Sequence, residues 1–249
     1  MLSRISETAH KVTYPSDLDA LVRKCATLLS VEFMPEVFIL ERNNSNAFTF
    51  GSEDHAFVFV DSSLLTMLTS GELMALFGHE LGHVKSGHMT YHTLAEALGG
   101  GISLSASLLG LDVLSIPIRF ALLSWYRESE VTGDRASLLV VNDINVVRSL
   151  MNKLILAQGG VSSSLDLDIG KRNVGMIESV SELFRTHPVW SNRLRFLKDF
   201  SVSEEFLRAR QKIELRQSLI RGLIPICRFC GAKKLVEELF CPSCGRCQT

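Results

Sequence analysis

The 249-residue chain lacks the long apolar run that a membrane-spanning helix requires. Its most apolar segment, 94–126, contains a charge-free run from Ala97 to Leu111 of about 15 residues, short of the roughly 20 needed to cross a bilayer. Asp112, Pro117 and Arg119 interrupt the remainder of that segment. It therefore reads as a buried helical hairpin rich in small residues, with a membrane-touching or re-entrant hairpin as the competing reading. No secretory leader is expected either: Arg4, Glu7, His10 and Lys11 cut the first apolar cluster, and no small-residue cleavage site comes after it. Charge of one sign is also lacking, since the formal net charge is −1, which gives no electrostatic case for nucleic acid or for an acidic partner. Disulfide-framework spacing is absent as well. Of six cysteines, Cys25 stands alone and the rest fall between Cys227 and Cys247, so they cannot staple a fold of this length. These absences together predict a cytoplasmic protein. What is present, 46% hydrophobic and 21% charged residues, suits one large core, or one core with a small appended module.

Periodicity supplies an outline. Pro15 to Leu29 has helical spacing, with Leu18, Leu21, Val22, Cys25, Leu28 and Leu29 on one stripe. Val37–Leu40, Ala47–Phe50 and Ala56–Val60 read as strands, and Asp61 or Ser62 caps a short helix to Leu68. Thr69 followed by Glu72 fits a capping box opening the next helix. Further helices are predicted over 127–141, 144–158 and 174–184, with Gly/Ser/Asp-rich residues 159–170 as a loop. A charged, exposed helix runs from Ser203 to Leu219. The expected fold class is α+β: a mostly helical domain with a small β-sheet, followed by a small C-terminal module.

The capped helix carries His79-Glu80-Leu81-Gly82-His83. Residues four apart share a helix face, so both imidazoles can address one metal ion, and Glu80 lies beside a metal-activated water as general base. Zinc in a catalytic site takes three protein ligands and keeps one open position. The third ligand must come from elsewhere, and Glu128, Glu130, Asp134, His88, His92 and His187 are the candidates. Glu130 and Asp134 lie four apart on a predicted helix, so one can bind metal while the other accepts a hydrogen bond from a ligand imidazole. His88 and His92 read as polar positions beyond the metal-binding turn. Spacing alone does not separate Glu130 from Glu128.

Four segments in order resemble the zinc metallopeptidases of the HtpX type, the gluzincin family that includes the CAAX prenyl endopeptidases. Asn46-Ala47-Phe48 with Gly51 is similar to the substrate-edge strand motif, and 77–84 to the zinc-binding helix. Arg127, Glu130, Gly133 and Asp134 are similar to its R-x-x-E-x-x-A-D segment, and Thr186-His187-Pro188 with Arg193 to its late H-P…R element. The resemblance implies Glu130 as third ligand, which leaves Asp134, one turn on, to accept a hydrogen bond from a ligand imidazole, and it implies Asn46, Ala47 and Phe48 as substrate-binding. His187 is either a catalytic donor to the oxyanion or the shaper of an X-Pro turn. Gly133 stands where the family has Ala, a change expected to loosen the helix slightly and leave the metal geometry alone.

The tail holds two C-x-x-C-G knuckles, Cys227/Cys230 and Cys241/Cys244. Four thiolates at this spacing make a closed structural zinc site of zinc-ribbon type, too small to fold without its metal. Lys233 and Lys234 are offset by Glu237 and Glu238, so no nucleic-acid role is expected.

The combined expectation is a zinc-dependent endopeptidase acting on extended or unfolded polypeptides, with one catalytic and one structural zinc. Its domains are 1–200 (metallopeptidase), 201–224 (charged helical connector) and 225–249 (zinc ribbon). The alternatives are a latent peptidase-like protein that binds partners through its ribbon, and a membrane-associated peptidase with peripheral contact through 94–126. Substrate identity and oligomeric state are not written in these residues.

Overall fold

A computed structural model describes residues 9–13, 16–51, 55–89, 112–157, 190–221, 227, 229–232 and 240–246. Four strands form one sheet in the order β1-β2-β4-β3: β1 (Ala9–Lys11), β2 (Glu36–Leu40), β3 (Ala47–Gly51) and β4 (Ala56–Asp61). β2 and β4 are parallel, with Val37 opposite Val58. β1 and β3 add antiparallel on either side, leaving β3 at one edge of the described sheet. Side chains alternate across a strand, so Val37, Ala56, Val58 and Val60 enter the core. On the opposite face Phe38, Phe59 and Phe48 stack at centroid distances of 5.3 and 5.0 Å.

Helix α1 (Asp17–Leu29) begins where the Ser16 hydroxyl accepts from the Asp19 N–H, and it stops at Ser30 in the left-handed region (φ 54°). Its stripe of Val22, Cys25, Ala26 and Leu28 is buried. The short α2 (Ser62–Met67) leads into α3 (Ser70–Lys85), which opens with the complete Thr69/Glu72 capping box. Glu72 also accepts from Ser149 Oγ and Lys153 Nζ, both at 2.7 Å, on α5 (Ile144–Ala157). That carboxylate therefore caps one helix and fastens a second.

Helix α4 spans Asp112–Val141 and so starts well before the Arg127 start that periodicity predicted. Pro117 lies near its N-terminal end, where a missing N–H removes at most one helical bond. The rest of the expected hairpin, 94–111, lies outside the described residues, as do the 159–170 loop and the predicted 174–184 helix. No helix among the described residues is long and apolar enough to cross a membrane.

Helix α6 (Trp190–Ser201) was not anticipated from the sequence; it buries Arg193, Leu194, Leu197 and Phe200 at helical spacing. Helix α7 (Glu204–Arg221) corresponds to the charged connector. It is exposed along much of its length, yet Phe206 and Ile213 reach the core, and Arg210 Nη1 donates to the Leu139 carbonyl at 2.9 Å. The main core gathers α1, α3, α4, α5, α6 and the inner sheet face into one cluster that includes Phe77, Leu81 and Leu138.

Burial alone would raise the Glu72 pKa, but hydrogen bonds from Lys153, Ser149 and Thr69 outweigh it and lower it from an ordinary 4.5 to about 2. A depressed folded-state pKa stabilises the fold above the unfolded value and ceases to do so as pH falls through the folded one. We therefore expect about 2–3 kcal/mol of stability to be lost between about pH 5 and pH 2 through this group. In acid-denaturation curves Glu72→Gln should be less stable at pH 7 and should flatten that part of the profile.

Candidate metal centre

The site begins with how closely two helices approach. Gly78 and Gly82 flank the first and second histidines on α3 and face α4. A Cβ on Gly82 would lie 2.6 Å from Ala136 Cβ and 3.3 Å from Gly133 Cα, and one on Gly78 would lie 3.0 Å from Ser137 Cα. Ser137 Oγ donates to the Ala75 carbonyl at 2.7 Å and locks the contact. Only small residues allow this spacing, and it sets the carboxylates of α4 against the imidazoles of α3.

His79 Nε2 and His83 Nε2 lie 3.2 Å apart. The two Glu130 oxygens reach them, Oε2 at 3.8 Å from His79 Nε2 and Oε1 at 3.8 Å from His83 Nε2. One donor atom from each residue fits within 4.8 Å of the others, so the three could hold a metal ion. Glu128 is exposed. Asp134 Oδ1 lies 3.2 Å from His79 Nδ1, which leaves Nε2 directed at Glu130. Arg193 then ties both acids together: its Nη1 is 2.8 Å from Glu130 Oε2, and Nε and Nη2 donate to Asp134 at 2.7 and 2.6 Å.

Charge and spacing both fit a divalent ion. Glu80, Glu130 and Asp134 are buried beside one buried guanidinium, that of Arg193, among the described residues. Uncompensated buried charge is costly, and a cation among the three donors would offset it. Donors tetrahedrally placed around zinc at 2.0–2.1 Å are about 3.3 Å apart; the histidine pair matches, and Glu130 is slightly beyond.

The titration directions reflect the same crowding. Burial disfavours the His79 imidazolium, but the Asp134 hydrogen bond and the Glu130 and Asp134 charges outweigh it and raise its pKa. Burial raises the pKa of Glu80, against the lowering effects of His79 and Thr49. For Asp134 the Arg193 charge and hydrogen bonds overcome burial and hold the carboxyl in its ionised form.

His88, read from sequence as a polar bystander, has its Nδ1 3.5 Å from His83 Nδ1 and its ring edge-on to Trp125. Sequence offered only its five-residue offset from His83 as a signal. Gly133, expected to loosen the helix slightly, packs against the same site. A Cβ there would lie 2.7 Å from His79 Cε1, so the glycine leaves room for the His79 ring. His187 and His92 lie outside the described residues.

Residues 46–48 lie at and within the β3 edge. The Asp61 N–H donates to the Asn46 carbonyl at 2.9 Å, and the Asn46 N–H to Asp61 Oδ2 at 3.1 Å. Hydrogen-bonded pairs alternate in antiparallel ladders, so Phe48 is bonded to β4 while Ala47 and Thr49 turn their peptide groups to the open edge. Thr49 Oγ1 donates to Glu80 Oε2 at 2.5 Å.

The second cluster is the cysteine tail. Cys227 Sγ is 3.7 Å from Cys244 Sγ, and Cys230 Sγ is 3.5 Å from Cys241 Sγ. Disulfide sulfurs would be near 2.05 Å, whereas thiolates on one zinc at about 2.3 Å lie roughly 3.8 Å apart. Amides of Phe229 and Cys230 donate to Cys227 Sγ, and that of Ser243 to Cys241 Sγ. Gly231 and Gly245, at φ 72° and 70°, permit these turns. The Cys227 thiol is lowered to about 6: amide and thiol hydrogen bonds exceed the effect of burial. Arg246 pairs with Phe33, in the link between α1 and β2, through an isolated antiparallel bridge. Cys247 lies outside the described residues.

The profile of Peptidase family M48 matches residues 15–201. The chain is 35% identical over 154 residues to the plastoglobule-localized metallopeptidase 48, chloroplastic, of Arabidopsis thaliana, an alignment covering 61% of this chain and 44% of that protein. It is 26% identical over 213 residues to protease HtpX homologs of Burkholderia mallei and Burkholderia pseudomallei, covering 75% of this chain and 74% of theirs. The chain thus spans under half of the plant relative's length.

Replacing Gly133 by Ala should lower zinc affinity at the histidine site about tenfold by pushing His79 off Asp134, despite the gain of up to about 1 kcal/mol in helix propensity. Chelator competition measures this, with the four-cysteine site as internal reference; unchanged affinity would show that the ring has room to yield.

Proposed function

Because the chain belongs to peptidase family M48 as a zinc metallopeptidase of the HtpX type, we propose that it is a zinc-dependent endopeptidase acting on extended or unfolded polypeptides. The observation that carries this reading is the convergence of His79 Nε2, His83 Nε2 and the Glu130 carboxylate within 4.8 Å, with Glu80 buried beside them. Zinc held by those three residues would supply Lewis acidity, acidifying a water and polarising the scissile carbonyl.

The chain's own groups do the rest. Asp134 holds the tautomer and direction of His79, and Arg193 holds Asp134 and Glu130 in register. Glu80 takes the proton of the attacking water and returns it to the leaving amine. The β3 edge, with the Ala47 peptide groups turned outward, pairs with an extended chain by β-addition, which disfavours folded substrates. His187 is the proposed donor to the oxyanion. The four cysteines hold a second, structural zinc, since a closed thiolate site has no open position for substrate. We assign the peptidase domain to 1–200, in keeping with the family match, the connector to 201–224 and the ribbon to 225–249. A reducing, cytoplasmic setting suits four free thiols.

Glu80→Gln should lower peptide hydrolysis by about 10²- to 10⁴-fold while zinc content stays that of the wild type. Cleavage of casein and a quenched-fluorescence peptide, with zinc analysis of each protein, measures both. Retained proteolysis in the variant would refute Glu80 as base. A wild type that binds zinc but cleaves neither substrate would make the chain a binding module instead.

A further inference from the structure

Thr49 belongs to β3, yet it is joined to the reaction centre by its side chain. Its hydroxyl donates to Glu80 Oε2 at 2.5 Å and lies 3.5 Å from the Glu80 backbone carbonyl. Glu80 is buried, so its carboxylate has little solvent to orient it, and an ionised acceptor makes such a hydrogen bond stronger than a neutral one. One oxygen is thereby occupied, leaving the other to receive a proton.

The backbone of the same residue faces the other way. Thr49 stands opposite Val58 in the β3–β4 ladder. Asn46 and Asp61 form a hydrogen-bonded pair in that ladder, so strict alternation gives the bonded positions to Phe48 and Phe50. Thr49 consequently turns its N–H and C=O to the edge where no described strand pairs. Its two flanking phenylalanines project to the far face, where Phe48 stacks on Phe59 at 5.0 Å and fixes the strand's rotation. A strand that twisted or slid would carry the hydroxyl away from Glu80.

We propose that Thr49 is a positioning residue that couples occupancy of the substrate-binding edge to the general base: its peptide groups pair with the extended substrate while its hydroxyl holds the Glu80 carboxylate in place for proton transfer. This rests on the reading of Glu80 as the base and of β3 as the substrate edge. It accounts for a hydroxyl-bearing residue at a core-facing strand position otherwise occupied by Ala47, Val58 and Val60.

The test uses the full-length zinc-loaded protein and a quenched-fluorescence peptide long enough to span β3. Thr49→Val keeps shape and β-propensity but removes the donor, Thr49→Ala removes it with less bulk, and Thr49→Ser restores it. In both donorless variants kcat should fall about tenfold or more, the scale of a hydrogen bond to a charged group, with KM within about twofold and zinc content unchanged. Thr49→Ser should recover to within about threefold of wild type. Glu80→Gln serves as reference. If the wild type cleaves and Glu80→Gln does not, yet the donorless variants keep full kcat, the coupling is wrong and the peptidase reading stands. If Thr49→Ser is as impaired as Thr49→Val, or the loss lies in KM or melting temperature, the residue serves strand packing only. If the wild type does not cleave, both readings fall together.

Discussion

The close approach of α3 and α4 is the constraint on which the site depends. Gly78 and Gly82 on one helix meet Gly133, Ala136 and Ser137 on the other at distances that exclude further side-chain atoms. On α3 the glycines alternate with chemistry: each stands one residue before a histidine. The same turns that let the helices touch therefore aim His79 and His83 at the partner, and Glu130 and Asp134, one turn apart on α4, are the groups they meet. Phe77 and Leu81, fully buried on the opposite side, supply the hydrophobic burial that holds α3 in place.

Close packing creates an electrostatic demand. Carboxylates from two helices are drawn out of water beside each other, and Arg193 alone, with its fork divided between Glu130 and Asp134, does not balance them. A cation held by His79, His83 and Glu130 would complete the set, which would make metal retention and helix packing two aspects of one arrangement. The capping carboxylate Glu72 at the start of α3, shared with Lys153 and Ser149, secures the other end of the same helix. The helix that carries both histidines is thus held at its N-terminus, along its glycine face and through its histidines.

Much of this was legible in the sequence because it depends on short-range spacing. The histidine pair, the capping box, the three strand segments and the two cysteine knuckles are each fixed by residues within a few positions of one another, and each appears where periodicity puts it. Choosing Glu130 over Glu128 required a resemblance, since neither spacing nor composition says which side of α4 faces α3. The structure places Glu130, and not the exposed Glu128, beside the two histidines. Three features could not be read locally. The Gly133 contact with His79 and the His88 contact with His83 depend on how elements far apart in sequence, or turns between them, come together. Helix α6 carries its burial on Arg193, Leu194, Leu197 and Phe200, a pattern whose arginine looks like surface until its carboxylate partners are known. Helix α7 shows the converse: its charge suggested a solvated connector, while Phe206 and Ile213 give it a seat on the core.

The two candidate metal clusters differ in chemistry, and that difference makes the central claim directly measurable. Zinc-edge X-ray absorption separates nitrogen and oxygen neighbours at about 2.0–2.1 Å from sulfur neighbours at about 2.3 Å. In the wild type both shells should be present. In Glu130→Ala the zinc content should fall by about half and the nitrogen/oxygen shell should disappear with it, leaving the sulfur shell of Cys227, Cys230, Cys241 and Cys244. A nitrogen/oxygen shell that survives the loss of Glu130 unchanged would contradict the account.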